Sequence, residues 1–576
     1  MSIFDIFRKR EPIIAPWKKY YTDDELDIKI PNISLYTQIV NSSKKYPDNT
    51  AYQYFKKKVK YKSFVKKINR CASSFKKKGI RKGDIVTICL PNVPEALICF
   101  YALNKIGGIA NMIHPLSAEE EIKKALISTN SKYLIIIDFN YEKIKKSVKS
   151  TNVKNVIFVS AKDSMPFFMR IGYTFTEQRK YKNYHNTRYY LSYKRFLRCS
   201  FFKKSNNYCP YGKDTPCVIM HSGGTSGKPK NIVLQNRTFI LGAKQEKIAL
   251  KKLTVGDNCL GIMPNFHGFG LGVCMHTPLT LGCYTILVPK FDNKEFDVLL
   301  DTYKPTCVLG VPTLYEALLK AKNVDNLDLS HLKYVICGGD SLSKKLEDDI
   351  NKYLKDHNCD THIVQGYGMS EALAAVTLCF DNTYKSGSIG IPLPGNYVKI
   401  IDPSTRKILP YGKTGEIVIN SKALMMGYLN DESETNEALQ VHDDGHIWLH
   451  TGDLGYMDSD GFIFYESRAK RMIITSGYNV YPSHIEEVIE AHPAVLQCTV
   501  VGVYHPYKHE VPKAFIVLKP GYYGLLIKQE IKDYCVKNLA HYMVPKEFVY
   551  RRKLPTTKLG KVDFNLLKSD VGKDEL

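Results

Sequence analysis

The run His221-Ser222-Gly223-Gly224-Thr225-Ser226-Gly227-Lys228-Pro229-Lys230 constrains this chain more than any other stretch. Three glycines let backbone N–H groups point inward, three small hydroxyls can donate to oxyanions, and two lysines can neutralise charge. Such a loop can close around a polyphosphate. The apolar pair Val218-Ile219 before it and Asn231-Ile232-Val233-Leu234 after it place the loop between two strands. A Walker loop would open a helix and read G-x-x-x-x-G-K-[ST], a string that does not occur here. Taken alone, the loop is equally an ordinary surface turn.

At 576 residues the chain exceeds a single core, so two or more domains are expected. The formal charge of +25 favours polyanionic partners such as nucleotides, coenzyme A or anionic headgroups; compositional drift toward Lys and Asn explains it equally well. Fifteen scattered cysteines without a C-x-x-C pair argue for reduced thiols and a cytosolic setting, and against a zinc ribbon or disulfide framework. No apolar run is long enough to cross a membrane, and the N-terminus lacks a secretory core. The last four residues, Lys573-Asp574-Glu575-Leu576, spell an ER-retention address that cannot be read without entry into the ER lumen.

Residues 1–34 are polar and read as a peripheral arm. Beyond them the rhythm is alternating α/β. Strands are expected at 84–90, 133–137 and 156–159, and a helix over Pro94 to Ile106 with its proline in the first turn. Residues 161–207 break this rhythm with 11 Lys/Arg, 2 acidic residues and 12 aromatics. Such an insertion suits a membrane surface or a solvated excursion, and no nucleic-acid-binding motif accompanies it. Further strands are expected near 307–310, 334–337 and 415–419. A compact region follows, with helices at 483–491 and 527–539 and strands at 498–503 and 514–518. The fold class is therefore α/β: a large part of stacked mixed or parallel sheets with helices (35–468), joined near Arg468 to Lys470 to a small mobile α+β lid (469–576).

More motifs join the loop in order: Met263-Pro264-Asn265-Phe266-His267-Gly268-Phe269-Gly270, Gly338-Gly339-Asp340, Gln365-Gly366-Tyr367-Gly368-Met369-Ser370-Glu371, His450-Thr451-Gly452-Asp453, Arg468-Ala469-Lys470 and Pro555 leading to Gly560-Lys561. With this set the chain resembles the adenylate-forming superfamily of acyl- and aryl-CoA synthetases, amino-acid adenylation domains and luciferases. The resemblance runs from about residue 35 to the C-terminus. It implies joining of a carboxylate to ATP at the α-phosphate, release of pyrophosphate, and transfer of the acyl group to a thiol. An AMP ester replaces an oxide leaving group, so the protein must hold two anions together and stabilise an anionic transition state.

The resemblance implies residue roles. Ser222, Gly223, Gly224, Thr225, Ser226, Gly227 and Lys230 would bind the β- and γ-phosphates. Asn231 stands where the family usually has glycine. Tyr367 would pack on adenine, with Gly366, Gly368 and Met369 beside it. Gly338, Gly339 and Asp340 would form the adenine edge, although Asp340 is larger than the usual residue. Ser370 replaces a more common threonine. Glu371, with Thr225, would hold Mg²⁺. Asp453 would accept from both ribose hydroxyls and Arg468 would reach ribose or phosphate, with Ser467 replacing a usual glycine. Lys470 would be the hinge, Ser476, Gly477 and Tyr478 would line the tunnel for the coenzyme A thiol, and Lys561 would contact the carboxylate and α-phosphate. His267 follows Phe266 where amino-acid adenylation domains place an aspartate. That pattern implies a fatty or aryl acid, with a medium- or long-chain fatty acid expected; a structural histidine is the other reading. Gly270 to Met275 and Val311 to Leu318 are either acyl-tunnel walls or core helices. An acyl carrier protein could replace coenzyme A as acceptor, and a catalytically silent scaffold is the reading from another class.

Overall fold

The computed structural model describes residues 12–177, 184–200, 206–222, 230–321, 327–373, 375–380, 383–475, 478–505, 507–557 and 562–569. Among these residues the strands form four sheets. The Val/Ile-rich runs Ile85–Cys89, Tyr133–Ile137 and Asn155–Val159 are almost wholly buried and pair in parallel, as strands covered on both faces must be. They sit in an eight-stranded sheet that continues on one side through Ile109–Met112 and Pro216–Ser222 to the antiparallel Lys230–Gln235 and Gly427–Tyr428. The two strands flanking the glycine-rich stretch are therefore antiparallel neighbours, and the register ends at Ser222 opposite Lys230. The helix Pro94–Ile106 is buried at every position and ends on Gly107 at φ +74°. A helix buried all round belongs inside a core, and glycine takes the left-handed C-terminal conformation at no Cβ cost.

A second, nine-stranded sheet carries Ile363–Tyr367, Tyr334–Gly338, Cys307–Gly310, Asn258–Gly261, Tyr284–Leu287 and Thr50–Tyr54 as parallel neighbours. Its parallel centre brings the carboxyl ends of three strands, at Gly310, Gly338 and Tyr367, side by side. In open α/β sheets that edge is where ligands bind. A third, antiparallel sheet contains Gly415–Ser421, Ile447–Met457 and Ile463–Arg468. The fourth, built on Val495–His505 and His509–Leu518, has its own core of Ile473, Val480, Ile485, Val500, Ala514 and Ile516.

Two expectations change. Residues 12–34 are not a peripheral arm: Trp17 is 2% exposed, Tyr21 is buried with its hydroxyl donating to Pro392 O at 3.0 Å, and Tyr20 packs edge-on against Phe462. The aromatic side chains among the polar residues decide this packing. Nor is 161–207 wholly an excursion. Tyr190–Ser192 extends the eight-stranded sheet beside Asn155–Val159, and Tyr193 and Phe196 are buried beneath the helix Tyr193–Arg198. No described helix is long and apolar enough to cross a membrane. All fifteen cysteines are free thiols.

Candidate active site

A cleft opens at the carboxyl edge of the second sheet. Leu309, Ile336, Cys337, Gly338 and Gly339 form one wall, and Gly366, Tyr367, Gly368 and Met369 the next. His267, Phe269 and Val273 approach from the segment beyond Met263. The structure thus brings together three of the sequence motifs on adjacent strand ends. Glycine is needed for this assembly. A Cβ on Gly268 would lie 2.0 Å from Leu373 O, so only glycine lets the 263–270 segment press against the 365–371 segment. Leu373 itself sits at φ +71°, a strained conformation at the edge of the site.

Asp453 lies in the strand Ile447–Met457 and is 2% exposed. Its placement is over-determined. Thr451 Oγ donates to Ile417 O at 2.6 Å and accepts from the Asp453 N–H at 3.0 Å. Glu416 accepts from Gly452 N–H at 3.0 Å through one oxygen and pairs with His450 Nδ1 at 3.0 Å through the other. Tyr367 O–H donates to Asp453 Oδ2 at 2.7 Å, and Arg468 Nε stands 2.7 Å from Oδ1. Burial first, and then the Asp453 charge, push the Tyr367 phenol well above its ordinary value, so it remains a donor. The aromatic, the acid and the arginine meet although 86 residues separate the first two.

Glu371 is 7% exposed and its Oε1 accepts from Tyr428 O–H at 3.1 Å. Tyr428 lies on the strand paired with Lys230–Gln235, and its ring sits 4.7 Å from the Lys230 ammonium. Lys230 is also ion-paired with Glu434 at 2.5 Å. Glu434 therefore shares or competes for the ammonium with any phosphate that Lys230 binds. His221 is held by Asn111 Oδ1 at 2.6 Å, and burial pushes its imidazole down to about 4, leaving it neutral.

Gly223, Gly224, Thr225, Ser226, Gly227, Ser476, Gly477 and Lys561 lie outside the described residues, as does the side chain of Ser222. Thr556 and Val562, on either side of Lys561, form an isolated antiparallel bridge. Lys470 is exposed in the short turn Ala469–Arg471 between the third and fourth sheets, and Tyr478 opens the strand Tyr478–Val480. Asp340 is exposed and does not line the cleft, as befits a side chain larger than its neighbours Gly338 and Gly339; Ser370 is buried beside Glu371. Val273 lines the cleft, so part of 270–275 is wall rather than plain core. Val311 to Leu318 is not wall: Leu314 and Leu318 are buried in the core and Tyr315 O–H donates to Ile336 O at 2.7 Å.

Residues 39–429 match the model of the AMP-binding enzyme family, and residues 484–561 match the AMP-binding enzyme C-terminal domain. The chain belongs to the AMP-binding enzyme family. It is 32% identical over 555 residues to a long-chain-fatty-acid–CoA ligase of Bacillus subtilis (strain 168), covering 95% of this chain and 96% of that one. It is 31% identical to the probable 4-coumarate–CoA ligase 1 of Dictyostelium discoideum, covering 82% and 83%. Among solved structures, the anthranilate CoA ligase AuaEII in complex with anthranoyl-AMP matches with a TM-score of 0.82 at 23% identity, covering 94% of this chain and 98% of that one. ATP-bound MatB from Rhodopseudomonas palustris matches at 0.80 and 22%, covering 94% and 100%.

This AMP-binding enzyme is an acid–thiol ligase that uses ATP, Mg²⁺ and coenzyme A. The residues present fit the first two. A Cβ on Gly338 would lie 3.1 Å from Gly366 O, so the glycine pair leaves room for a flat ring, and buried Glu371 is the type of hard oxygen donor that would suit Mg²⁺. Sequence reasoning missed Tyr428, Glu434, Glu416 and Glu246. The first three act through contacts between distant segments and carry no local signal. Glu246 does carry one, as an acidic residue beside the apolar positions of the helix Asn236–Ala249.

Proposed function

We propose that the enzyme activates a medium- or long-chain fatty acid as acyl-AMP and transfers it to coenzyme A. One observation carries the acid assignment: Leu250, Phe269, Val273, Leu309 and Leu378 line the cleft together with His267, a largely hydrocarbon surface suited to an alkyl chain. In this reading Tyr367 and the glycines at 338, 339, 366 and 368 receive adenine. Asp453 and Arg468 take the ribose, and 222–230 the phosphates. Mg²⁺ on Glu371 would neutralise phosphate charge. His267 flanks the substrate carboxylate, and Lys561 bridges it to the α-phosphate. The division into 35–468 and 469–576 belongs to the same proposal. Rotation about Lys470 would exchange Lys561 for the 476–478 segment at the cleft.

A membrane contact and a cytosolic location go with this reading. The helix Phe167–Thr176 leaves Phe167, Phe168, Met169, Ile171 and Phe175 exposed, inside the strongly basic 161–207 segment. Exposed aromatics next to cations match the interface of an anionic bilayer, where a fatty acid partitions.

ATP–pyrophosphate exchange across acids of graded length tests the acid assignment. Exchange should rise from acetate to dodecanoate and stay low with 4-coumarate; the opposite order overturns the reading. Lys561→Ala should slow adenylation about 100-fold or more while sparing thioester formation from supplied acyl-AMP. Equal loss in both half-reactions would remove its role.

A further inference from the structure

One carboxyl in the cleft has no part in adenylation as described above. Glu246 stands near the end of the helix Asn236–Ala249 and projects into the cleft, one turn before Leu250. The helix is pinned next door, where Gln245 Nε2 donates to Pro394 O at 2.8 Å and to Asn396 Oδ1 at 2.9 Å. Glu246 is 3% exposed, and among the described residues its Oε2 has no hydrogen-bond partner. Phe269, Val273 and Leu309 share the lining with it. A carboxyl buried in hydrocarbon is costly unless something bonds to it, and a plain alkyl chain laid over it would leave the oxygen unsatisfied.

We infer that Glu246 is a specificity-determining residue that bonds a hydroxyl carried on the acyl part of the substrate, so that the acid is hydroxylated rather than purely hydrocarbon. This rests on the cleft being the acyl pocket and narrows the acid proposed there. Burial raises the Glu246 carboxyl to about 8, despite support from the Thr277 hydroxyl, so near neutral pH it is protonated and can both donate and accept. A hydroxyl answers both capacities. An ammonium would want an ionised partner, and the carboxyl in this lining is neutral.

The test is the ratio of kcat/KM for matched acids, read as coenzyme A-dependent AMP formation. The pairs are dodecanoate with 12-hydroxydodecanoate, octanoate with 8-hydroxyoctanoate, and cinnamate with 4-hydroxycinnamate. The wild-type enzyme should prefer the hydroxylated member of at least one pair by about 100-fold, the range expected when a buried polar group is left unpaired by the wrong substrate. Glu246→Leu should abolish or invert that preference, and Glu246→Gln, which still donates and accepts, should keep most of it. A wild-type ratio near one in every pair overturns the inference, as does a preference that Glu246→Leu leaves intact. Turnover of the cinnamate pair alone would overturn the fatty-acid reading while leaving the Glu246 ratio meaningful.

Discussion

Tyr367 shows how much of this site is decided by single contacts. Its ring lines the cleft while its hydroxyl, on the far side, fastens Asp453. Arg468 engages the other carboxylate oxygen, so two side chains orient an acid that is almost fully buried. A charged acceptor bonded in low dielectric is held more firmly than one in water. Tyr367→Phe keeps the ring and deletes only the donor. With Asp453 on the ribose, we expect KM for ATP to rise about tenfold, the loss typical of one hydrogen bond to a charged group, with kcat little changed. Initial-rate kinetics at varied ATP decide this, and an unaltered KM would take the pair off the nucleotide path. The motifs made both residues legible as candidates. Their direct contact was not legible, because strand ends from two different sheets meet only after folding.

The helix Phe167–Thr176 leaves a row of large apolar side chains in solvent. Its residue Phe168 is 84% exposed and Phe175 58%, and none of its ten residues is buried. Arg170 lies over the Phe167 ring at 5.8 Å, which sets a cation beside the aromatic face. Apolar side chains this exposed are stabilised on a lipid interface, where they leave water. Vesicles of phosphatidylcholine should sediment little of the protein, and vesicles containing phosphatidylserine much more. Phe168→Ser with Phe175→Ser should cut the bound fraction about tenfold or more, from the lost apolar transfer. Because these side chains bury little against the protein, the melting temperature should stay put. Equal sedimentation of wild type and variant would mean that the helix faces something other than lipid. Composition flagged the 161–207 segment from its cations and aromatics. It did not separate this exposed helix from Tyr190–Ser192, which joins the sheet edge, because both contain aromatics and only packing distinguishes them.

At the scale of the whole molecule, several buried acids tie stability to pH. Burial raises Glu246 and Glu490 to about 8 and Glu95 to about 7, above their unfolded values. Raised carboxyls keep protons that the unfolded chain has released, so their contribution is complete below about pH 4.5 and is lost as pH rises through the folded values. Neutral buried His276 and His221, pushed down to about 3 and about 4, act oppositely, but only below about pH 6.5. Between pH 6.5 and 8.5 the acids, at about 2 kcal/mol each for Glu246 and Glu490, outweigh Lys105, whose ammonium burial pushes down to about 8 and which acts in the opposite sense. Thermal melts should therefore fall across that range, and Glu246→Gln should flatten the fall; a flat wild-type profile would show these acids to be solvated. Other features of this protein were written locally. Runs such as Tyr133–Ile137 and the helix Pro94–Ile106 carry their periodicity and end signals in adjacent residues, and the glycine-rich, histidine and lysine motifs carry their chemistry in short strings. Local sequence therefore determined the α/β class, the strand-loop-strand around 222–230 and most candidate residues. Only the tertiary structure decided that Trp17 and Tyr21 pack into the core, that Lys230 pairs with Glu434, that Tyr428 bonds Glu371, and that Glu246 enters the cleft. Those facts depend on which distant surfaces come into van der Waals and hydrogen-bond range, a property of sheet order and packing that no neighbouring residues encode.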